Sequence, residues 1–196
     1  MIGRWILVLV VSACAHRTPS APVQNTPAAE TVSPPVTLDE FRAAFPVGTS
    51  ILMRFVQLGT SPMEERWTWI AADADGCTVT TLSCDEEGNV VSEDGEIETT
   101  WVELMTHATF PADRTVFTDA TVDVAAGHFD TWHYTVSEGA PDTSPELAHY
   151  HFDRTLPGPP VLVIIEEGGV EVMRMELVHR DVTPPAAGSR CSVPPS

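Results

Sequence analysis

The second half of the chain alternates apolar and polar residues at period two in five runs cut apart by turn residues, a pattern that points to an antiparallel sheet. The runs are Thr115–Val124, His128–Val136, Glu146–Arg154, Val161–Glu166 and Val170–His179. Between them stand Ala125-Ala126-Gly127, Gly139 to Pro145, Pro157-Gly158-Pro159-Pro160 and Gly168-Gly169, rich in the residues that tight turns require. In the second run Trp132, Tyr134 and Val136 share one face. In the third, Ala148, Tyr150 and Phe152 do the same, so these faces pack together toward a core. Val161-Leu162-Val163-Ile164-Ile165 is apolar on both sides, which predicts a cover on both faces of the sheet there, with a helix as the natural lid.

The first half reads similarly after a short helix. Thr37-Leu38-Asp39-Glu40 forms a capping box, followed by Phe41, Ala44 and Phe45 before Pro46 ends the turn. Ser50–Gln57, Glu64–Ala72 and Thr78–Leu82 carry branched or aromatic residues and read as three antiparallel strands. Asp73-Ala74-Asp75-Gly76 reads as a hairpin turn, because the positions that would complete a calcium loop are Ala71 and Leu82. The acidic stretches Asp85-Glu86-Glu87 and Glu93-Asp94-Gly95-Glu96-Ile97-Glu98 repel themselves and read as solvated loops. Thr99–Ala108 places Trp101, Leu104, Met105 and Ala108 at helical spacing, a second helix ending near Pro111. The fold class is mainly β (α+β): a curved antiparallel sheet or half-open β-barrel with one or two short helices packed on it.

Outside that domain the composition changes. Met1–Ala13 has one positive charge at Arg4, the apolar stretch Trp5–Val11 and small residues before Cys14, the parts of an export signal too short to span a bilayer. Val11-Ser12-Ala13-Cys14 resembles the lipobox of bacterial lipoproteins. The resemblance implies cleavage after residue 13, a diacylglycerol thioether and an acylated amine on Cys14, and anchoring at the outer membrane because Ala15 rather than Asp follows. Several acyl chains make such an anchor strong, at about 0.8 kcal/mol per buried methylene. The expected location is the cell envelope, at the periplasmic face of the outer membrane or the cell surface. Residues 14–36 hold the lipidated cysteine and a Pro-rich tether, which extends by about 3.1 Å per residue where polyproline geometry holds. Residues 37–182 form a single β-rich domain, and 183–196 a second Pro-rich disordered tail. The formal net charge of −18 makes nucleic acid and anionic headgroups poor partners.

With Cys14 lipidated, Cys77, Cys84 and Cys191 allow at most one disulfide. If Thr78–Leu82 is extended, Cys77 and Cys84 point to opposite faces and lie roughly 23 Å apart at about 3.3 Å per residue. A disulfide needs Cα atoms within about 7 Å, so Cys191 is expected to pair with Cys77 or with Cys84.

Thr121-Val122-Asp123-Val124-Ala125-Ala126-Gly127-His128-Phe129-Asp130, followed by an aromatic strand, a Pro-Gly loop and an apolar strand, resembles periplasmic and outer-membrane proteins of uncharacterised function. Their shared mark is strand, Ala-Gly-x-Phe, strand. That group is similar in outline to the open β-barrel of lipoprotein-carrier and mycobacterial lipid-binding lipoproteins, in which a curved sheet wraps a helix around an apolar cavity. The resemblance spans Thr115–His179 and assigns no ligand contact, because its motif is a turn. Physically, Gly127 supplies a positive φ for the reversal and Phe129 anchors the next strand.

Two sets of residues are candidates for function. Trp67, Trp69, Trp132, Tyr134, Tyr150 and Phe152 are the residues expected to line an apolar ligand cavity, or simply to fill the core. His133, His149 and His151 fall on the face opposite the aromatics if the two central strands pair. They would hold zinc or copper with Asp153 or Glu146 nearby, or remain a solvated, pH-sensitive patch. No Gly-x-Ser-x-Gly, phosphate loop or His-Glu-x-x-His is present. The leading expectation is a non-enzymatic lipoprotein without a cofactor that binds a lipid or acyl chain, or a protein partner in the envelope. The alternatives are a metal-binding protein or metal-dependent enzyme using the three histidines, and a purely structural interaction module.

Overall fold

A computed structural model describes residues 30–138, 146–182 and Cys191. The chain forms β1 (Thr31–Val32), α1 (Leu38–Ala43), β2 (Ser50–Gln57), β3 (Met63–Ala72), β4 (Gly76–Cys84) and β5 (Val90–Thr100). It continues with α2 (Trp101–Thr106), β6 (Phe110–Pro111), β7 (Thr115–Val124), β8 (Gly127–Glu138), β9 (Glu146–Asp153), β10 (Leu162–Glu167) and β11 (Val170–Asp181). Nine strands make one antiparallel sheet in the order β5-β4-β3-β2-β11-β10-β9-β8-β7, and β1 pairs separately with β6. The sheet is thus two meanders, β2–β5 and β7–β11, sewn together where β11 pairs with β2. The sheet is antiparallel, as the period-two pattern predicts, and it is curved and stays open, as the resemblance implied. Register shifts at Trp69–Ala71, Ile165–Glu166 and Leu177–His179 supply local bends.

Turn chemistry explains the hairpins. Gly168 and Gly169 both have positive φ, 58° and 79°, between β10 and β11, the geometry that matches strand twist in a two-residue loop. Gly127 has φ 138° after Ala125-Ala126. Asp73 Oδ1 accepts the N–H groups of Asp75 and Gly76 at 2.8 and 2.9 Å, closing the β3–β4 turn.

Both helices are six residues long, too short to persist without capping and docking. Thr37 Oγ1 accepts from Glu40 N–H at 3.2 Å while Thr37 N–H donates to Glu40 Oε2 at 2.9 Å. Thr100 and Glu103 repeat this box at α2, at 3.1 and 2.9 Å. Trp101, 1% exposed, anchors α2, its Nε1–H donating to Asp73 O at 3.0 Å. Phe45, just after α1, stacks on Trp69 with centroids 4.3 Å apart and lies under the Arg180 guanidinium at 4.6 Å. Arg180 also donates to Ala44 O at 2.6 Å, tying α1 to β11.

The main core gathers Phe45, Ile51, Met53, Trp69, Val79, Trp101, Val161, Val163, Met175 and Leu177 beneath the helices. A second cluster centres on Phe110 against Tyr134, Tyr150 and Phe152. A third, on the opposite face, holds Leu52, Cys84, Val178 and Cys191. There Cys84 and Cys191 are disulfide-bonded, with Cα atoms 6.0 Å apart across 107 positions of sequence. Cys77 stays unbonded in the main core, where burial pushes its thiol pKa up.

Four expectations need correction. The acidic run Glu93–Glu98 is not a loop but part of β5, because an edge strand satisfies its backbone on one side and leaves Glu93, Glu96 and Glu98 exposed to water. Thr99 and Thr100 therefore end a strand, and α2 begins only at Trp101. Thr31–Val32, placed in the tether, pair with Phe110–Pro111. Both helices pack on the face bearing Trp69 and Met53, so among the described residues the cover over Val161–Ile165 is helical on that side only, while Leu162 on the other face is buried at 5% exposure without a helix. The signal segment, Cys14 and most of the Pro-rich tail lie outside the described residues.

Candidate functional site

α1, α2 and the segment that follows β1 do not fully cover the β8–β9 end of the sheet. A groove of about 290 Å³ is left between them, lined by Val36, Leu38, Phe41, Val102, Met105, Trp132 and Phe152. Capping and docking place the helical walls, and strand alternation places the floor, because Trp132 and Phe152 are cross-strand partners. Val102 is 60% exposed and Leu38 37%, so apolar surface stands open at the rim. A second recess, about 320 Å³, lies at the tip of the β7–β8 hairpin among Ala125, Ala126, Phe129, Leu156, His179 and Arg180. Ala126 N–H reaches Leu177 O at 3.1 Å there.

The six aromatics expected to line one cavity are divided by the fold. Trp132 and Phe152 face the groove; Trp69 is buried under Phe45, with Trp67 packed beside the same core. Tyr134 and Tyr150 pack against Phe110, which fills the space a hollow half-barrel would leave. Burial pushes the phenols of Tyr134 and Tyr150 up to about 12. Sequence reasoning missed the helical wall residues Leu38, Val102 and Met105. The unused signal was the second Thr-x-x-Glu box at Thr100, which marks where α2 starts and hence which of its faces is free.

On the other face of the same ladder, His133 is the direct cross-strand partner of His151. Their rings stack at 4.1 Å and 8° from parallel, and His133 Nε2 lies 3.1 Å from His149 Nδ1. Thr135 Oγ1 sits 3.2 Å from both of those nitrogens, and Thr118 Oγ1 is 3.4 Å from His133 Nδ1. Thr131 Oγ1 donates to Ala120 O at 3.0 Å, so at 3.2 Å it accepts from His151 Nδ1–H, which fixes that tautomer. Burial, then the neighbouring imidazoles, lower His151 to about 4; burial and His149 lower His133. Burial therefore favours the uncharged form of His133 and His151. Ligating lone pairs lie in the ring plane, and the stacked planes of His133 and His151 are nearly parallel and offset, so the lone pairs of these two rings do not meet at one point. Among the described residues no three His, Cys, Asp or Glu side chains are placed to hold a metal ion. Asp153 is engaged instead with the Thr155 N–H and hydroxyl, at 2.8 and 2.9 Å.

Fold and groove together define an open, curved antiparallel sheet with two short capped helices on one face. Three solved structures are similar in backbone course: "The complex structure of Pseudomonas aeruginosa MucA/MucB", 13% identical with a TM-score of 0.49, a crystal structure of MucB, 12% and 0.48, and MucB in complex with MucA(peri), 13% and 0.48. The matches cover 76%, 76% and 80% of this chain and 57%, 59% and 57% of those, so the chain spans somewhat over half their length. No protein-family model matches the chain, and no curated protein is detectably similar to it in sequence.

Proposed function

We propose that this chain is a non-enzymatic binding module of the bacterial cell envelope, held at the membrane through lipidated Cys14, whose groove receives an apolar segment of a ligand or partner protein. The observation that carries the reading is the groove itself: apolar walls on two helices, an aromatic floor on the sheet, and an open rim. At about 290 Å³ it stands at the low end of the roughly 300–1,000 Å³ that small-molecule sites occupy. That size suits one side chain cluster or the end of a single acyl chain better than a whole diacyl lipid, and the filled aromatic core argues the same way. The histidine cluster faces away from the groove, and among the described residues no three His, Cys, Asp or Glu side chains are grouped to hold a metal ion.

The test is a titration of the chain with lauric acid and, separately, with a short leucine-rich peptide, followed through the methyl NMR signals of Val102 and Met105. Saturable shifts confined to these and to Trp132 are expected with at least one probe, and Met105→Glu abolishes them while the chain stays folded. No shift with either probe, or shifts that survive Met105→Glu, overturns the proposal. Native mass spectra of the chain purified without detergent would show whether such a ligand travels with it.

A further inference from the structure

The two edges of the nine-stranded sheet are built differently. β5 carries Glu93, Glu96 and Glu98 and is broken by two register shifts against β4, with Gly95 at φ 46°. Charge and irregularity of this kind deter the addition of another strand. β7, at the other edge, pairs with β8 over all 10 of its residues without a shift, and contains neither glycine nor proline. Among the described residues no strand pairs with its outer side. An edge strand of this length presents a row of outward backbone N–H and C=O groups to solvent. Val116 and Phe117 on it are 64% and 49% exposed. The chain contains no lysine, the residue that most often guards such an edge.

We propose that β7 is a strand-addition surface for an extended, cationic segment of a partner protein. The unpaired backbone specifies an extended occupant, since only another strand can satisfy alternate N–H and C=O groups along its length. Side chains specify the rest. Phe117, Asp119, Thr121 and Asp123 share one face of β7, and Val116, Thr118, Ala120, Val122 and Val124 the other. The carboxylates of Asp119 and Asp123 are 66% and 87% exposed. Their present partners, Arg154 at 3.2 Å and His128 at 2.8 Å, are themselves solvent-exposed, and such surface pairs are weak. They can be exchanged for a partner's cations. A matching strand alternates β-branched with basic residues, its basic side chains set opposite Asp119 and Asp123. The net charge of −18 attracts such a segment and repels a second copy of this chain. The backbone edge of β7 is distinct from the groove, although Asp119 is the cross-strand partner of Trp132 on the groove floor.

The experiment uses the full chain and a fluorescein-labelled peptide of β7's length alternating valine with lysine, read by anisotropy and by amide hydrogen exchange. Saturable binding that slows exchange within residues 115–124 is expected. Affinity should fall about tenfold or more, some 1.4 kcal/mol, when the peptide's lysines become glutamates, when two of its valines become prolines, or when the chain carries Asp119→Lys with Asp123→Lys. Glu96→Lys with Glu98→Lys on β5 should leave affinity within about twofold, any change being a small fall through net charge alone, without altering the exchange protection of residues 115–124. Equal binding of the proline peptide, protection outside β7, or an unchanged affinity in the β7 double variant overturns the proposal. So does a dimer in sedimentation whose residues 115–124 are already protected without peptide.

Discussion

The β8–β9 ladder has two faces made of alternate residues of the same two strands, and they are held together by different physics. On one, Tyr134, Tyr150 and Phe152 close around Phe110, with centroids 4.7 to 6.3 Å from it. On the other, His133, His149 and His151 stack and share hydrogen bonds with Thr118, Thr131 and Thr135. The aromatic face depends on shape, so it is sensitive to lost volume and indifferent to protons. On the histidine face burial holds His133 and His151 toward the uncharged form, so it is sensitive to protons. Strand pairing alone makes both; what is buried on each side decides what breaks it.

The largest expected effect breaks the aromatic side. Phe110→Ala empties the centre of that cluster and should lower unfolding free energy by about 3–5 kcal/mol in urea, with the deficit unchanged between pH 7 and pH 5. Next comes acid on the histidine side. His151 has its pKa depressed from 6.5 to about 4 in the folded chain, so the unfolded state takes up the proton first as pH falls. Stability therefore drops as pH falls from about 6.5 to about 4, by an amount on the order of 3 kcal/mol if His151 acts alone. Relief of carboxylate repulsion in an acidic chain works in the opposite direction, so the useful quantity is the difference between the parent and His151→Gln, which should lack this pH slope. A pH dependence identical in both would show that the stacked histidines carry no linkage. The smallest effect sharpens the contrast: Thr135→Val removes the hydroxyl between His133 and His149 without changing volume, and should cost about 0.5–1.5 kcal/mol, while leaving the Phe110 cluster intact by chemical shift.

Much of the fold was legible because alternation is a local property. Ser50–Gln57 and Thr115–Val124 are strands with the boundaries that the pattern sets, and the pairing that puts Tyr134 beside Tyr150 and His133 beside His151 follows from period two once the strands are neighbours. β5 was not legible by the same rule, because an edge strand with both faces wet has no need of apolar alternation. The groove was only half legible. Its floor, Trp132 and Phe152, comes from strand alternation, whereas its walls, Leu38, Val102 and Met105, come from where two six-residue helices dock, and that is set by Trp101 and Phe45 finding Asp73, Trp69 and Arg180 at a distance in sequence.

By itself the sequence determined that this chain pairs strands antiparallel and which residues of each strand share a face. These are consequences of backbone periodicity, turn chemistry and composition, which act over a few residues. Only the tertiary structure decided that Phe110 packs against Tyr134, Tyr150 and Phe152, that His133 and His151 stack with their rings 8° from parallel, and that β7 is left as a long regular edge among the described residues. Those outcomes depend on side chains from distant segments, Phe110 above all, competing for the same volume, and no local pattern records which of them arrives.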